Sequence, residues 1–153
     1  RLNHLKNHLM FYFTGVSRIA SEIAKEQIEN TDKKKRELSA MQEMVDEALS
    51  ILCSDNTDII EFGKLLHESW QLKRSLTGKI STPQIDEIYE EARRCGAIGG
   101  KLLGAGGGGF MIIFAKPEDQ SRIGNKLSRL LRVPFEFENS GSQIIVYRPD
   151  GLH

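Results

Sequence analysis

The order of apolar segments predicts an α+β domain: a ferredoxin-like, split βαβ sandwich with an antiparallel sheet and extra helices inserted after its first strand. Three observations predict it. A short apolar strand near the start precedes several amphipathic helical stripes, then two strands joined by a glycine-rich turn, then one more helix and a closing pair of strand-like segments. The 153 residues fit one domain comfortably and two only with strain, so residues 1–153 are read as a single unit. The 27% of charged residues cancel to a formal net charge of zero beside 39% hydrophobic residues, the balance of an ordinary globular chain.

Leu9-Met10-Phe11-Tyr12-Phe13 is a continuous apolar run of strand length, stopped by Thr14-Gly15. Ile19, Ile23 and Gln27 with Ala20, Ala24 and Ile28 then form a first helical stripe. Leu38, Met41, Val45, Ala48, Leu49 and Leu52 form a second, cleaner one, and Ile59, Phe62, Leu66 and Trp70 a third. The basic run Lys33 to Arg36 between the first two reads as a solvated helix face. Ser81-Thr82-Pro83-Gln84 is a helix start, a hydroxyl N-cap followed by a proline whose missing N–H has no partner to lose. That helix buries Ile85, Ile88, Tyr89 and Ala92 and ends near Gly96. The glycine-rich stretch from Gly99 to Gly109 leads into a second strand at Phe110 to Phe114. Pro117 opens a helix carrying Ile123, Leu127, Leu130 and Leu131. Pro134 to Phe137, a turn at Asn139-Ser140-Gly141, and Ile144 to Tyr147 read as a closing hairpin.

Several function classes drop out. A balanced charge leaves no global electrostatic footprint for nucleic acid. No apolar stretch is long enough to cross a bilayer and no signal-peptide pattern opens the chain, so the expected location is the cytoplasm, with no membrane partner. Cys53 and Cys95 lack metal-ligand spacing and read as free thiols, although two cysteines leave a disulfide open. His4 and His8 are four apart, yet no nearby carboxylate or cysteine completes a metal set; no metal site is expected. The start at Arg1, without methionine and close to a core strand, leads to the expectation of a piece of a longer protein or of a processed product.

The chemistry, if any, lies in Gly104-Ala105-Gly106-Gly107-Gly108-Gly109. Gly104, Gly106 and Gly109 match G-x-G-x-x-G, but a dinucleotide-binding turn must follow a strand and open a helix, whereas these glycines lead into a strand. A Walker A loop fails as well, because no Gly-Lys-Ser/Thr follows. Each glycine loses more conformational freedom than any other residue on ordering, and a plain hairpin needs only one or two. Five in six residues let the backbone approach something closely, either another backbone or a ligand, and successive N–H groups in such turns can cradle an anion. Both readings, a tight turn packed under a helix and a phosphate-proximal loop, stay open on the glycines alone.

Lys101-Leu102-Leu103 followed by Gly104 to Gly109 and Phe110 resembles the third signature motif, K-x-x-G-A-G-G-G-G, of the GHMP kinases (galactokinase, homoserine kinase, mevalonate kinase and phosphomevalonate kinase). Phe11 to Ala20 resembles the FYTG-x-S-R-x-A stretch of heptose-phosphate kinases. His67 to Leu76 resembles their H-x-x-W-x-x-K segment, and Ile85 to Tyr89 the helix before the glycine loop. The resemblance implies a GHMP kinase C-terminal domain, closest to D-glycero-D-manno-heptose-phosphate kinase, with fucokinase or a galactokinase-like enzyme as the competing sugar kinases. The parent enzyme so implied transfers phosphate from ATP with Mg²⁺ to the anomeric hydroxyl of heptose 7-phosphate. Nothing here resembles the family's phosphate loop P-x-x-x-G-L-G-S-S-A. The catalytic and ATP-binding elements are therefore expected in an N-terminal kinase domain absent from this chain. That domain and the sugar phosphate are the expected partners, and this domain alone is expected to hold no cofactor, contain no catalytic residue and be inactive.

The same resemblance implies that Gly104, Ala105, Gly106, Gly107, Gly108 and Gly109 border the phosphate-transfer site. Thr14, Gly15, Arg18, Lys73 and Lys101 are the substrate-binding candidates. Arg18, at the first turn of a helix, suits a sugar phosphate or is a surface arginine. Lys101 faces either the phosphates or solvent. His67, Trp70 and Arg74 share one helix face, and Trp70 reads as core with basic neighbours that reach past it. A different class of function stays open too: a free-standing ferredoxin-like binding or regulatory module without chemistry of its own.

Overall fold

The computed structural model describes residues 1–15, 20–138 and 140–144. The apolar run forms strand β1 (Leu9–Phe13), preceded by a short helix α1 (Leu2–Asn7) that the pattern did not announce. The inserted helices are α2 (Ala20–Glu29), a 3₁₀ turn (Thr31–Lys34), α3 (Lys35–Cys53) and α4 (Ile60–Leu76). Helix α5 (Pro83–Arg94) follows, then strands β2 (Ala97–Leu102) and β3 (Phe110–Ala115), helix α6 (Pro117–Lys126) and strand β4 (Leu131–Arg132).

The sheet order is β2-β3-β1-β4 and all three pairings are antiparallel. β1 and β2 thus run parallel with β3 inserted between them, which is the split βαβ arrangement of a ferredoxin-like fold. Register divides the side chains cleanly. Met10, Tyr12, Met111, Ile113 and Leu102 join the main core with Ile85, Ile88, Tyr89 and Ala92 of α5 and Ile123 of α6. The other face presents Leu9, Phe11 and Phe13 opposite Phe114, Ile112 and Phe110. Over β2 this second face is covered by α4, which approaches very closely: a Cβ on Gly99 would lie 2.0 Å from the carbonyl oxygen of Gly63, and one on Gly63 would lie 2.4 Å from the Phe114 ring. Helix α5 starts as its sequence dictates, with Thr82 Oγ1 accepting from the N–H of Ile85 and Pro83 in the first turn.

Three expectations need correction. The helix after Pro117 ends at Lys126, and Leu131 lies in β4, well exposed, rather than on a helical stripe. Pro134 to Phe137 is not a strand. The pairing to β1 is made earlier, by Leu131 and Arg132 with Val133 N–H donating to Phe11 O, and Phe135 then turns its ring onto Phe11 at 5.9 Å. The turn residue Asn139 and the rest of the second half, Ile145 to Tyr147, lie outside the described residues. Finally, the first two helical stripes are not wholly covered: Ile28, Val45 and Leu49 are exposed among the described residues. Cys53 is exposed and Cys95 half-buried, both free thiols. No helix of the described residues is long and apolar enough to cross a membrane.

Candidate functional site: a braced glycine loop

Residues 103–109 connect β2 to β3, closed at the base by Leu103 N–H donating to Phe110 O at 2.8 Å. Gly104, Gly106, Gly107 and Gly109 all have positive φ, between 75° and 121°, a region that L side chains enter only with strain. The loop lies on the segment just before α5. Gly107 N–H donates to Ile80 O at 2.8 Å, and a Cβ on Gly106 would lie 2.8 Å from Ile80 Cα and 2.9 Å from its carbonyl oxygen. So one close approach that the glycines allow is internal, backbone on backbone.

Side chains from three elements then hold the loop by its carbonyls. Lys73 Nζ, from α4, donates to Gly104 O and, at 3.5 Å, to Leu102 O. Gln27 Nε2, from α2, donates to Ala105 O at 2.7 Å. Thr14, at the end of β1 and fully buried, donates to Gly109 O through both its N–H (2.8 Å) and its hydroxyl (2.9 Å). A peptide's N–H points opposite to its C=O, so tying down the carbonyls of Gly104 and Ala105 turns the N–H groups of Ala105 and Gly106 the other way. Between Gly104 and Gly109, Gly107 alone finds a partner for its N–H among the described residues. The loop is fixed by its acceptors and leaves donors unspent, the arrangement that an anion requires.

Two amines stand on this side of the fold. Lys73 is pushed down to about 8, by burial first and then by the charge of Lys101. Burial also lowers Lys101. Lys101 turns away from the loop, along the β2 face under α4, and donates to Ser69 Oγ at 3.1 Å. Gly15 is exposed with φ 75°. Arg18 lies outside the described residues. The structure therefore brings Thr14 and Lys73 to the glycine loop, sets Lys101 beside Lys73 electrostatically, and shows Trp70 as core. Trp70 is fully buried against Tyr89, with Arg74 over its ring at 5.9 Å and bound to Asp86 of α5. His67 Nδ1 meets the Tyr89 hydroxyl at 2.6 Å; burial lowers the imidazole and pushes the phenol up to about 12. The face shared by His67, Trp70 and Arg74 serves packing on α5. Gln27 and Ile80 escaped the sequence reading. Gln27 carried only a helical-stripe signal, and Ile80 acts through its backbone, which leaves no trace in residue type.

A split βαβ sheet whose β2–β3 turn is a carbonyl-braced run of glycines defines a class of α+β domain in which a fixed loop offers backbone donors. Residues 47–133 match the family described as GHMP kinases C terminal, and the chain belongs to that family. A mevalonate kinase of Thermococcus gammatolerans is 38% identical over 94 residues, 60% of this chain and 27% of that protein. The D-glycero-alpha-D-manno-heptose 7-phosphate kinase of Campylobacter jejuni is 29% identical over 116 residues, 75% of this chain and 34% of that protein. The solved mevalonate kinase of Methanococcus jannaschii aligns over 85% of this chain and 40% of its own, with a TM-score of 0.66 at 30% identity. The matched stretches span 27% and 34% of the length of these two curated relatives.

Proposed function

We propose that this chain is the C-terminal, substrate-side domain of an ATP-dependent sugar kinase. The parent enzyme phosphorylates the anomeric hydroxyl of D-glycero-D-manno-heptose 7-phosphate to give the 1,7-bisphosphate. The observation that carries the reading is the glycine loop, held by its carbonyls with backbone donors left over beside the half-buried amine of Lys73. Phosphoryl transfer is chiefly positioning and charge stabilisation, and fixed N–H groups supply both without reorganising. The heptose-phosphate kinase stretches at Phe11 to Ala20 and His67 to Leu76 support the choice of sugar.

On this reading the loop borders the transferred phosphate of ATP. Thr14, Gly15, Arg18, Lys73 and Lys101 serve the substrate side with different tasks. Thr14 and Lys73 set the loop, Gly15 and Arg18 are assigned to the sugar phosphate on the resemblance, and Lys101 keeps the local potential positive. The unspent N–H groups fit a phosphate. On the family resemblance, Mg²⁺ and the base that takes the hydroxyl proton belong to the N-terminal kinase domain. A mevalonate kinase is the second reading, favoured by the higher identity of the Thermococcus relative over its shorter stretch. The test is a phosphotransferase assay on the polypeptide that carries this domain together with its N-terminal kinase half, offered heptose 7-phosphate, fucose, galactose and mevalonate with ATP and Mg²⁺. Turnover of heptose 7-phosphate above the others is expected. Turnover of mevalonate alone selects the second reading, and turnover of none sinks both.

A further inference from the structure

A groove of about 330 Å³ runs between α3 and α4 and ends at β2. Met41, Met44 and Ala48 line one wall and Leu66 the other, while its polar groups are Ser69 and Lys101. The α3 stripe that forms the first wall is incompletely covered, with Val45 and Leu49 more than half exposed at its rim. An ammonium is out of place at the end of such a groove. Lys101 keeps one hydrogen-bond partner among the described residues, the hydroxyl of Ser69, and forms no ion pair there. The half-buried amine faces no anion there, and burial depresses it. The volume is at the small end of the range for small-molecule sites, and two methionines form a wall that adapts to a flexible chain. One amine and one hydroxyl are too few polar groups for a polyhydroxylated sugar, which separates this groove from the sugar-phosphate site proposed above.

We propose that the α3–α4 groove is a second binding site, for a small amphipathic anion that bears one carboxylate on an aliphatic chain. The carboxylate accepts from Lys101 Nζ and Ser69 Oγ, and the chain lies along Met41, Met44 and Leu66. The inference goes beyond the kinase reading and stands if that reading fails.

The chain carries its own reporters, since its four methionines divide into Met41 and Met44 in the groove and Met10 and Met111 fully buried in the core. The 153-residue chain, labelled with ¹³C at its methionine methyls, is titrated with octanoate and, separately, with 1-octanol. Octanoate is expected to shift Met41 and Met44 saturably and leave Met10 and Met111 in place. Affinity should fall about tenfold for the alcohol and for Lys101→Gln, the loss of one charge-assisted hydrogen bond. Unchanged Met10 and Met111 signals certify that the variant is folded; should it fail to fold, the comparison of acid with alcohol on the wild type decides. The proposal is overturned by any of four results: no saturable shift at Met41 and Met44, equal affinity for acid and alcohol, movement of all four methyls together, or shifts that follow protein rather than octanoate concentration because a second copy of the chain fills the groove.

Discussion

Glycine serves two unlike purposes at the two ends of β2. At Gly99 and its partner Gly63 the absent side chains let a helix lie on a strand with nothing between the two backbones, and neither residue has a positive φ. At the other end, Gly104 and Gly109 have open space where a Cβ would go, yet both adopt positive φ. The first pair is about volume and the second about backbone conformation. Gly106 combines both, with φ 121° and the Ile80 backbone 2.8 Å from its would-be Cβ. The difference teaches how the loop is placed. The Gly63–Gly99 contact fixes α4 on the sheet, and Lys73, further along that helix, can then reach Gly104 O. The loop itself is shaped by conformation and braced by side chains.

The comparison breaks first at Gly99. Its substitution by alanine puts a methyl 2.0 Å from Gly63 O and 3.0 Å from His67 N, both backbone atoms of a helix that cannot yield locally. Overpacking against backbone should cost about 3 kcal/mol, read as a lowered urea midpoint. A loss below about 1 kcal/mol would show that α4 slides freely on β2, and the placement of Lys73 would then need another cause. Next comes Gly106→Ala, expected to cost about 2 kcal/mol from strained φ plus contact with Ile80. In the parent enzyme it should lower kcat beyond what the loss of folded protein explains. Unchanged kcat in a folded variant would detach the loop from the chemistry.

Much of this was legible in the sequence where the cause is local. Thr82-Pro83 starts α5 because a hydroxyl cap and a ring without an N–H act within one turn, and Leu9 to Phe13 is a strand because its run is short, apolar and stopped by Thr14-Gly15. The glycine loop announced itself by composition. What holds it did not, because Gln27 lies 78 residues from Ala105, and Thr14 lies 95 from Gly109. The closing hairpin was misplaced for a related reason. Phe135 and Phe137 give Pro134 to Phe137 a strand-like alternation, but their rings meet each other at 5.8 Å and Phe135 packs on Phe11, so the alternation records contact across the sheet face rather than a ladder. Lys101 shows the limit most plainly. Its position before the glycines left open whether it faces the phosphates or solvent, and the register of β2, which no local pattern sets, sends its amine under α4 to Ser69.

The finest test separates conformation from volume within glycine itself. Gly104 and Gly78 both have nothing within 4 Å of a would-be Cβ, but Gly104 has φ 75° and Gly78 does not have positive φ. If backbone conformation alone distinguishes them, Gly104→Ala should cost about 1 kcal/mol and Gly78→Ala close to nothing, or gain slightly by stiffening the unfolded chain. Both are exposed, so neither change removes core contacts, and paired urea curves on the same chain read the difference directly. Equal costs would mean that the strain at Gly104 is relieved by a shift of the loop. Such a shift must stretch the bond from Lys73 to Gly104 O, because that carbonyl belongs to the residue whose φ changes, and faster amide exchange at Gly107, whose N–H is bonded to Ile80 O, would report it in the variant. A loop that moves so easily would not hold its donors in place for an anion, so the smallest effect in the series bears most directly on whether the brace is rigid.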